Sequence, residues 1–305
     1  MSFVTVENVR KTFEDVVALD RLSVSVEKGE LFGFIGPDGA GKSTLFRILA
    51  TVMVPDEGKA TVMNYDTVHD YRQIRQVIGY MPGHFSLYTD LSVEENLQFF
   101  ARIYGTNIEE YYDWIKDIYE QIAPFKDRLV GDLSGGMKQK LALSCALIHK
   151  PAFLLLDEPT FGVDAVSRRE FWEVLKRLKS EGLTIIVSTP YMDEASLCDR
   201  IALMQEGQLL AVDQPEIITA QFENILYAVA GSPRYRTLQQ VRSWDETLRA
   251  YPFGERLHLV TKNTIDTGQL KQRLESSGIS EVTIESVAPT IEDEFIALMG
   301  GYHGK

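Results

Sequence analysis

The pattern of apolar and polar residues along the chain predicts a core in which strands alternate with helices. Residues 22–26 (LSVSV) alternate as in a half-buried strand, whereas residues 31–35 (LFGFI) are continuously apolar, as in a fully buried one. Further buried strands are predicted at 152–157 (AFLLLD) and 184–188 (TIIVS), with helical patterns between them. The fold class indicated is therefore α/β, with a largely parallel sheet.

A helical insert is predicted to interrupt this core at about residues 85–150. Ser92 and Glu95 match a capping box and open the amphipathic run 96–104, which is rich in aromatic residues. A second helix of the insert is predicted to begin at Ser134. The insert is therefore expected to form a helical subdomain within the core domain.

The pattern changes beyond Pro215. Short strand-like runs (ILYAVA, RLHLV and EVTIESV) alternate with helix-like segments, and the chain closes on the run IEDEFIALMG. This predicts a second, small α+β domain at the carboxyl end. The expected domains are residues 1–220 and residues 221–305.

Composition and charge exclude several classes of protein. The chain has 305 residues, of which 45% are hydrophobic and 25% charged, as expected for a soluble globular protein. A formal net charge of −13 argues against nucleic acid or an anionic lipid surface as a partner held by electrostatics. The sequence also has no long apolar run and no signal-peptide core, which predicts a cytoplasmic protein. Cys145 and Cys198 are expected in helices as small core residues.

The strongest candidate site is a glycine-rich run after the buried strand 31–35. It consists of Gly36, Pro37, Asp38, Gly39, Ala40, Gly41, Lys42, Ser43 and Thr44. This run matches the P-loop, in which backbone N–H groups cradle phosphates, a lysine supplies positive charge and a serine supplies an oxygen to Mg²⁺. Lys42 is the lysine expected to supply the positive charge, and Ser43 is the serine expected to supply the oxygen to Mg²⁺. A glycine turn without a phosphate is disfavoured because strand, loop and helix are all in register.

Two carboxylates close the predicted strand 152–157. Asp157 is expected to hold Mg²⁺, and Glu158 is expected to act as the general base on the attacking water. Taken alone, such a strand often leads only into a solvated turn. Beside a P-loop the catalytic interpretation is the better one.

A third element opens the predicted helix at Ser134. A serine N-cap followed by Gly135 and Gly136 is an anion-binding arrangement. The P-loop already serves one nucleotide, so this second phosphate-binding element has no evident ligand within its own chain. It points to a partner subunit.

With these motifs the chain resembles the ABC ATPases, because Leu133–Met137 is similar to their LSGGQ signature with Met137 in place of glutamine. The resemblance implies a P-loop NTPase core with a helical subdomain, ATP and Mg²⁺ as cofactors, and two subunits bound head to tail. Each signature then closes over the ATP held by the other subunit. By the same resemblance, Phe13 is expected to stack on adenine and Asp164 to cross the interface.

The chain departs from the family pattern at two positions. Gly83 stands where the family has a glutamine that reaches Mg²⁺, and the neighbouring His84 is interpreted as a surface residue. Pro190 stands where the family has a histidine that bonds the γ-phosphate. We therefore expect this site to bind ATP and to hydrolyse it poorly.

These departures affect only the chain's own nucleotide, whereas Ser134 would serve the partner's. A heterodimer with a different ABC ATPase is therefore favoured, and a homodimer remains open. The resemblance extends to drug-export and ABC-2 type systems, which implies export, separately encoded transmembrane permease subunits, and attachment to the inner face of the cell membrane. Two alternatives stay open, a regulatory subunit that binds ATP without hydrolysis and a soluble ABC ATPase outside transport.

Overall fold

The computed structural model describes residues 2–110 and 112–302, with only the backbone given for the last two. The chain divides into two units, the first ending at Pro215 and the second beginning at Glu216. All of the candidate site residues lie in the first unit.

A six-stranded sheet forms the centre of the first unit. Its strands are β3 (Leu31–Ile35), β6 (Ile78–Met81), β7 (Phe153–Asp157), β8 (Thr184–Thr189), β9 (Arg200–Gln205) and β10 (Gln208–Asp213). They lie in the order β10-β9-β3-β8-β7-β6, and every pair is parallel except β9 with β10. β3, β7 and β8 are buried along their whole length, because both faces of the sheet are covered. The predicted α/β core with a largely parallel sheet is confirmed.

A second, antiparallel sheet lies in the same unit. Its strands are β1 (Ser2–Phe13), β2 (Val16–Glu27), β4 (Glu57–Val62) and β5 (Tyr65–Asp66), in the order β2-β1-β4-β5. The sequence pattern predicted only part of β2. In β1 the register shifts between Val6 and Val9, and Asn8 adopts a φ of 50°. This irregularity breaks the alternation of apolar residues by which a strand is predicted.

The described residues of the first unit form six α-helices before β8. They are α1 (Lys42–Leu49), α2 (Tyr71–Val77), α3 (Val93–Ile103), α4 (Tyr112–Tyr119), α5 (Gly135–Leu147) and α6 (Ala165–Ser180). α3, α4 and α5 all follow β6 and precede β7 in the chain. α3 begins at the predicted capping box, in which both the Ser92 and the Glu95 side chains bond the opposite backbone N–H. Among the described residues, no helix combines the length and the apolar character needed to cross a membrane.

The two cysteines are core residues. Cys145 lies in α5 and is buried, as expected. Cys198 is also buried, but the prediction that it lies in a helix is wrong, since it follows the 3-10 turn Met192–Leu197 in an extended conformation. There its sulfur packs on β3, and a Cβ placed at Gly33 would come within 2.8 Å of it. Burial raises the pKa of both thiols, so neither is a reactive group.

The second unit has a different architecture. After α7 (Pro215–Ala220) come β11 (Ile225–Ser232), α8 (Arg234–Arg242), β12 (Thr247–Phe253), β13 (Arg256–Thr261), α9 (Thr267–Ser276), β14 (Ser280–Ser286) and α10 (Ile291–Tyr302). The strands form an antiparallel sheet in the order β12-β13-β11-β14. This is the split βαβ arrangement of ferredoxin-like domains. The predicted α+β character is confirmed.

The carboxyl-terminal helix α10 covers one face of this second sheet. Leu257 and Leu259 pack with α8 and α9 on one side, and His258 between them therefore points to the other. There Asp293 of α10, fully buried, lies 2.5 Å from the Nδ1 atom of His258 and accepts a hydrogen bond of 2.6 Å from the Tyr251 hydroxyl. The hydrogen bonds supply the partners that a buried carboxylate requires.

A half-buried histidine joins the helical insert to the first unit's sheet. His149, which follows α5, stacks on Tyr104 with the ring centroids 3.6 Å apart, and its Nε2 atom lies 3.1 Å from the Ile78 carbonyl oxygen. The Nε2 atom therefore carries the proton, and the buried Nδ1 atom has no hydrogen-bond partner among the described residues. Burial lowers the pKa of His149 from 6.5 to about 4.

We expect the stability of the first unit to depend on pH through His149. A histidine whose pKa is lowered by folding takes up its proton more readily in the unfolded chain, so the free energy of unfolding falls as pH drops from 6.5 towards 4. The loss should be about 2 kcal/mol after allowance for solvent screening. Urea unfolding at several pH values measures it. His149→Phe keeps the stack on Tyr104 and should flatten the profile between these pH values; an unchanged profile in this variant would contradict the assignment.

Candidate active site

The candidate residues meet at one edge of the parallel sheet. The P-loop run follows β3, and Asp157 ends β7. In the strand register Ile35 of β3 lies beside Thr189, and Asp157 beside Ser188. Carboxyl ends of parallel strands converge at the edge where ligands bind in such sheets.

Glycine is required at three positions of the P-loop. A Cβ at Gly36 would come within 2.3 Å of the Met204 carbonyl oxygen of β9. Gly39 and Gly41 adopt φ values of 80° and 101°, which residues with side chains rarely reach. A Cβ at Gly41 would also meet the Ala18 carbonyl oxygen at 2.4 Å. The loop is thus wedged between β2 and β9.

The other residues of the run give the loop its shape. The Ala40 N–H donates to the Pro37 carbonyl oxygen at 3.2 Å, which closes a turn with Asp38 and Gly39 exposed at its tip. α1 then starts with Gly41 at its N-cap, without a side-chain cap and without an acidic residue in its first turn. Thr44 lies half-buried on this turn. The N–H groups at the start of α1 therefore remain available to a phosphate.

Lys42 is buried under the loop, with 3% of its surface exposed. Its Nζ atom donates to the carbonyl oxygens of Gly36 at 2.7 Å and Pro37 at 3.0 Å, and it lies 3.3 Å from the Glu158 carboxylate. The three N–H bonds of the ammonium group match these three acceptors. The lysine is therefore held at the loop, and Glu158 is held beside it.

Asp157 sits among hydroxyl groups. Its Oδ1 atom accepts hydrogen bonds from Ser43 at 3.1 Å and from Ser188 at 2.6 Å, and the residue is 3% exposed. A carboxylate and a serine hydroxyl in contact are oxygen ligands of the kind that Mg²⁺ accepts, together with phosphate oxygens and water. Ser43 and Asp157 therefore fit a magnesium ion, which when bound would neutralise phosphate charge.

The backbone at Glu158 turns away from the strand. Its φ is 50°, and its N–H donates to both the carbonyl oxygen and the Oγ atom of Ser188, at 3.1 and 2.9 Å. A left-handed conformation in a glutamate is uncommon and is maintained here by the hydrogen bonds to β8. It directs the chain after β7 out of the sheet, with the carboxylate beside Lys42.

The two departures from the family pattern lie at the same edge. A Cβ built at Gly83 would lie 3.3 Å from the Oδ2 atom of Asp157, so a side chain there would point at the candidate magnesium ligand. Pro190 directly follows Thr189 at the end of β8 and provides no N–H. His84 lies on the surface of the loop after β6.

The signature residues form a separate surface. Ser134 caps α5, accepting from the Met137 N–H at 3.3 Å, and both Ser134 and Gly135 are exposed. Gly136 is buried against α6, where a Cβ added to it would lie 2.6 Å from the Ser167 Oγ atom. One glycine thus serves packing, and the other leaves an open helix N-terminus.

Phe13 ends β1, a strand absent from the prediction. Its ring is 44% exposed and lies 5.8 Å from the Lys11 ammonium nitrogen. Asp56 fixes this end of β1 by accepting from Lys11 at 2.7 Å and from the Thr12 N–H at 2.7 Å. An exposed ring on a fixed hairpin is available for stacking.

Comparison with known proteins decides the family. Residues 19–161 match the family model described as ABC transporter. The chain is 35% identical over 303 residues to the Nod factor export ATP-binding protein I of Rhizobium sp. (strain N33), with 96% of this chain and 95% of that protein covered. The chain belongs to the ATP-binding proteins of ABC transporters.

Two further comparisons extend this assignment. The probable multidrug ABC transporter ATP-binding protein YbhF of Escherichia coli (strain K12) is 37% identical over 304 residues, and the chain spans about half of its length, 52%. Among solved structures, the dimeric structure of the bacterial ABC transporter cassette MJ0796 matches with a TM-score of 0.63 at 26% identity, covering 69% of this chain and 98% of that one. The predicted ABC ATPase fold and the family resemblance are both confirmed.

Within this ABC ATPase, several side chains at the site were not predicted from the sequence. Ser188 bridges Asp157 and the Glu158 backbone, and Thr189 and Thr160 both bond the buried carboxylate of Glu194. A signal for two of them was present, since the apolar strand ends in two hydroxyl residues at 188 and 189. Roles for the individual residues of the site, Glu158 and Phe13 included, remain predictions.

Replacement of Ser188 should weaken the magnesium site specifically. In Ser188→Ala, Asp157 loses its shortest hydrogen bond, whereas the P-loop is untouched. We expect ATP affinity in the presence of Mg²⁺ to fall about tenfold, and affinity in EDTA to stay unchanged. Titration calorimetry measures both. Ser144→Ala, a buried serine on α5 that bonds the Lys140 carbonyl oxygen, is the matched control. Equal losses with and without metal would refute the assignment.

Proposed function

We propose that this chain is the ATP-binding subunit of an export-type ABC transporter. It binds Mg-ATP at its P-loop, and its signature residues complete the nucleotide site of a partner subunit. One observation carries the proposal: the chain has two phosphate-binding elements, the P-loop with Lys42 and the exposed N-terminus of α5 at Ser134 and Gly135. Two nucleotide sites shared between two subunits use both elements. The dimeric structure of the similar MJ0796 cassette supports the pairing.

The names of similar proteins support export. Similar proteins are named for multidrug transport and for Nod factor export. Such a subunit works by docking on separately encoded permease subunits at the cytoplasmic face of the membrane. The chain's division at Pro215 supports a nucleotide-binding domain at residues 1–220 and an accessory domain at residues 221–305.

The chain's own site is the weaker of the two in hydrolysis. Gly83 leaves space beside Asp157 where a glutamine would contribute an oxygen, and Pro190 removes a donor to the γ-phosphate. Loss of one preorganised donor commonly lowers a rate by about 10²–10³-fold. Glu158 remains beside Lys42 as the general base. We infer a heterodimer in which the partner's site, completed by Ser134, carries most of the turnover.

The same two positions favour one alternative function, a regulatory subunit that binds ATP without hydrolysing it. In that case Lys42, Ser43 and Asp157 would serve binding alone, and Glu158 would have no catalytic role. Transport and regulation differ in one measurable quantity, the turnover at this chain's own site.

Restoring the two missing groups should raise the turnover of the purified chain. Gly83 lies outside the left-handed region, and a Cβ there would lie 3.3 Å from the Asp157 Oδ2 atom, so Gly83→Gln requires the Asp157 carboxylate to shift by a few tenths of an ångström. We expect Gly83→Gln with Pro190→His to increase the Mg²⁺-dependent ATPase rate about 10- to 100-fold over the wild-type chain. Adding Glu158→Gln should remove the gain. Robust turnover by the unmodified chain alone, abolished by Glu158→Gln, would rule out the heterodimer.

Substitutions at the two signature glycines should distinguish an effect on the partner's activity from an effect on folding. A Cβ at Gly135 meets only the Gly162 carbonyl oxygen, at 3.4 Å, among the described residues, whereas one at Gly136 clashes with Ser167. Gly135→Ala should therefore leave the melting temperature of the chain unchanged. It should lower the ATPase rate of the transporter complex about tenfold, measured on complex purified from membranes through a tag on this chain. Gly136→Ala should lower both. An unchanged rate in Gly135→Ala would contradict the role of the signature.

A further inference from the structure

A buried carboxylate lies behind the site and takes no part in the roles assigned so far. Glu194 belongs to the 3-10 turn Met192–Leu197 that follows β8, and only 2% of it is exposed. Its Oε1 atom accepts from the Thr160 hydroxyl at 2.9 Å, and its Oε2 atom accepts from the Thr189 hydroxyl at 2.5 Å. Both threonines are themselves buried. A carboxylate is retained in such surroundings only when its oxygens are satisfied.

The direction of these hydrogen bonds is fixed by a neighbour. The Tyr191 N–H donates a hydrogen bond to the Thr189 Oγ1 atom at 3.1 Å. This hydroxyl therefore accepts from the backbone and donates its own hydrogen bond to Glu194. The Thr160 hydroxyl lies close to both Glu194 oxygens, at 2.9 and 3.2 Å. Glu194 is thus the common acceptor for two hydroxyl groups that are distant in sequence.

Each threonine belongs to a segment of the site. Thr189 opens the switch segment, residues 189–191, and its carbonyl oxygen accepts from the Gly36 N–H of the P-loop at 3.3 Å. Thr160 opens the D-loop segment, residues 160–164, which ends at Asp164, the N-cap of α6. Through Glu194, the end of β8 is therefore joined by hydrogen bonds to the segment that leads into α6.

The first turns of α6 continue the connection to the signature. The Nε atom of Arg168 lies 3.9 Å from the Glu194 Oε1 atom, and its guanidinium group lies 5.0 Å from the Tyr191 ring centroid. The preceding residue, Ser167, packs against Gly136 of the signature helix. One turn of helix thus contacts both the switch segment and the signature.

We propose that Glu194 is a positioning residue that ties the switch segment to the D-loop segment, so that nucleotide at the P-loop orders the surface offered to the partner. This inference rests on the proposed function, because it assumes that the P-loop binds Mg-ATP. It assigns to Glu194 a role in coupling the two sites and none in the bond-breaking step.

Hydrogen exchange of the full chain, with and without Mg-ATP, tests the coupling without requiring turnover. In the wild type we expect Mg-ATP to slow exchange in peptides covering the P-loop, the switch segment and the D-loop segment. In Glu194→Ala the P-loop should keep its protection, whereas the D-loop segment should exchange about tenfold faster and should no longer respond to nucleotide.

Three threonine variants provide the controls and keep the test valid if Glu194→Ala does not fold. Thr160→Val preserves shape but removes the hydroxyl, and it should also uncouple the D-loop segment. Thr160→Ser restores the hydroxyl and should restore the response. Thr184→Val removes an equally buried hydroxyl at the other end of β8, where it bonds the Gly29 N–H, and it should respond as the wild type does.

The possible results separate the inference from the function on which it rests. Protection of the P-loop together with an unchanged D-loop response in Glu194→Ala and Thr160→Val would overturn the coupling role alone. So would a wild type in which the P-loop is protected and the D-loop segment is not. Absence of protection at the wild-type P-loop would overturn the proposed function and the inference with it.

Discussion

The parallel pairing of β3, β7 and β8 is the constraint on which the site depends. Three buried strands running in one direction must end at one edge, and this places the P-loop beside Asp157 and Ser188 although more than a hundred residues separate them in the chain. Continuous apolar burial of the three strands stabilises their register. A slip in register would separate Ser43 from Asp157, and the oxygen pair that fits magnesium would be lost.

The same constraint explains how much could be predicted from the sequence. Runs such as LFGFI and FLLLD are assigned to buried strands by their length and flanking residues, and Gly39 and Gly41 are required by their own backbone conformation. Local signals also placed the helix starts at Ser92 and Ser134. β1 escaped prediction because its irregular register conceals the alternation, and the pairing of β1 with β4 depends on contacts distant in sequence.

The polar framework behind the site could not be predicted for a related reason. The sequence marks Ser188 and Thr189 only as two hydroxyl residues at the end of an apolar strand and does not mark Glu194, and only the fold shows that each is buried against a carboxylate or a hydroxyl. Buried hydrogen bonds of this kind specify a single arrangement, because an alternative leaves a polar group without a partner. The spacing of the motifs identifies the phosphate and magnesium ligands, whereas the residues that hold them in place become visible only through their contacts.

The contrast between lost and retained groups bears on how such a subunit contributes to transport. At Gly83 and Pro190 the chain lacks side chains that the family pattern places beside the nucleotide, whereas the buried hydrogen bonds that join the same strand end to the D-loop segment are complete at Glu194. A site that no longer served any purpose would have no physical reason to keep a buried carboxylate, since an apolar replacement is often equally stable. The proposed function, ordered binding without fast hydrolysis, would use this combination: the phosphate would be held, its presence would alter the partner-facing surface, and the chemistry would occur in the other subunit.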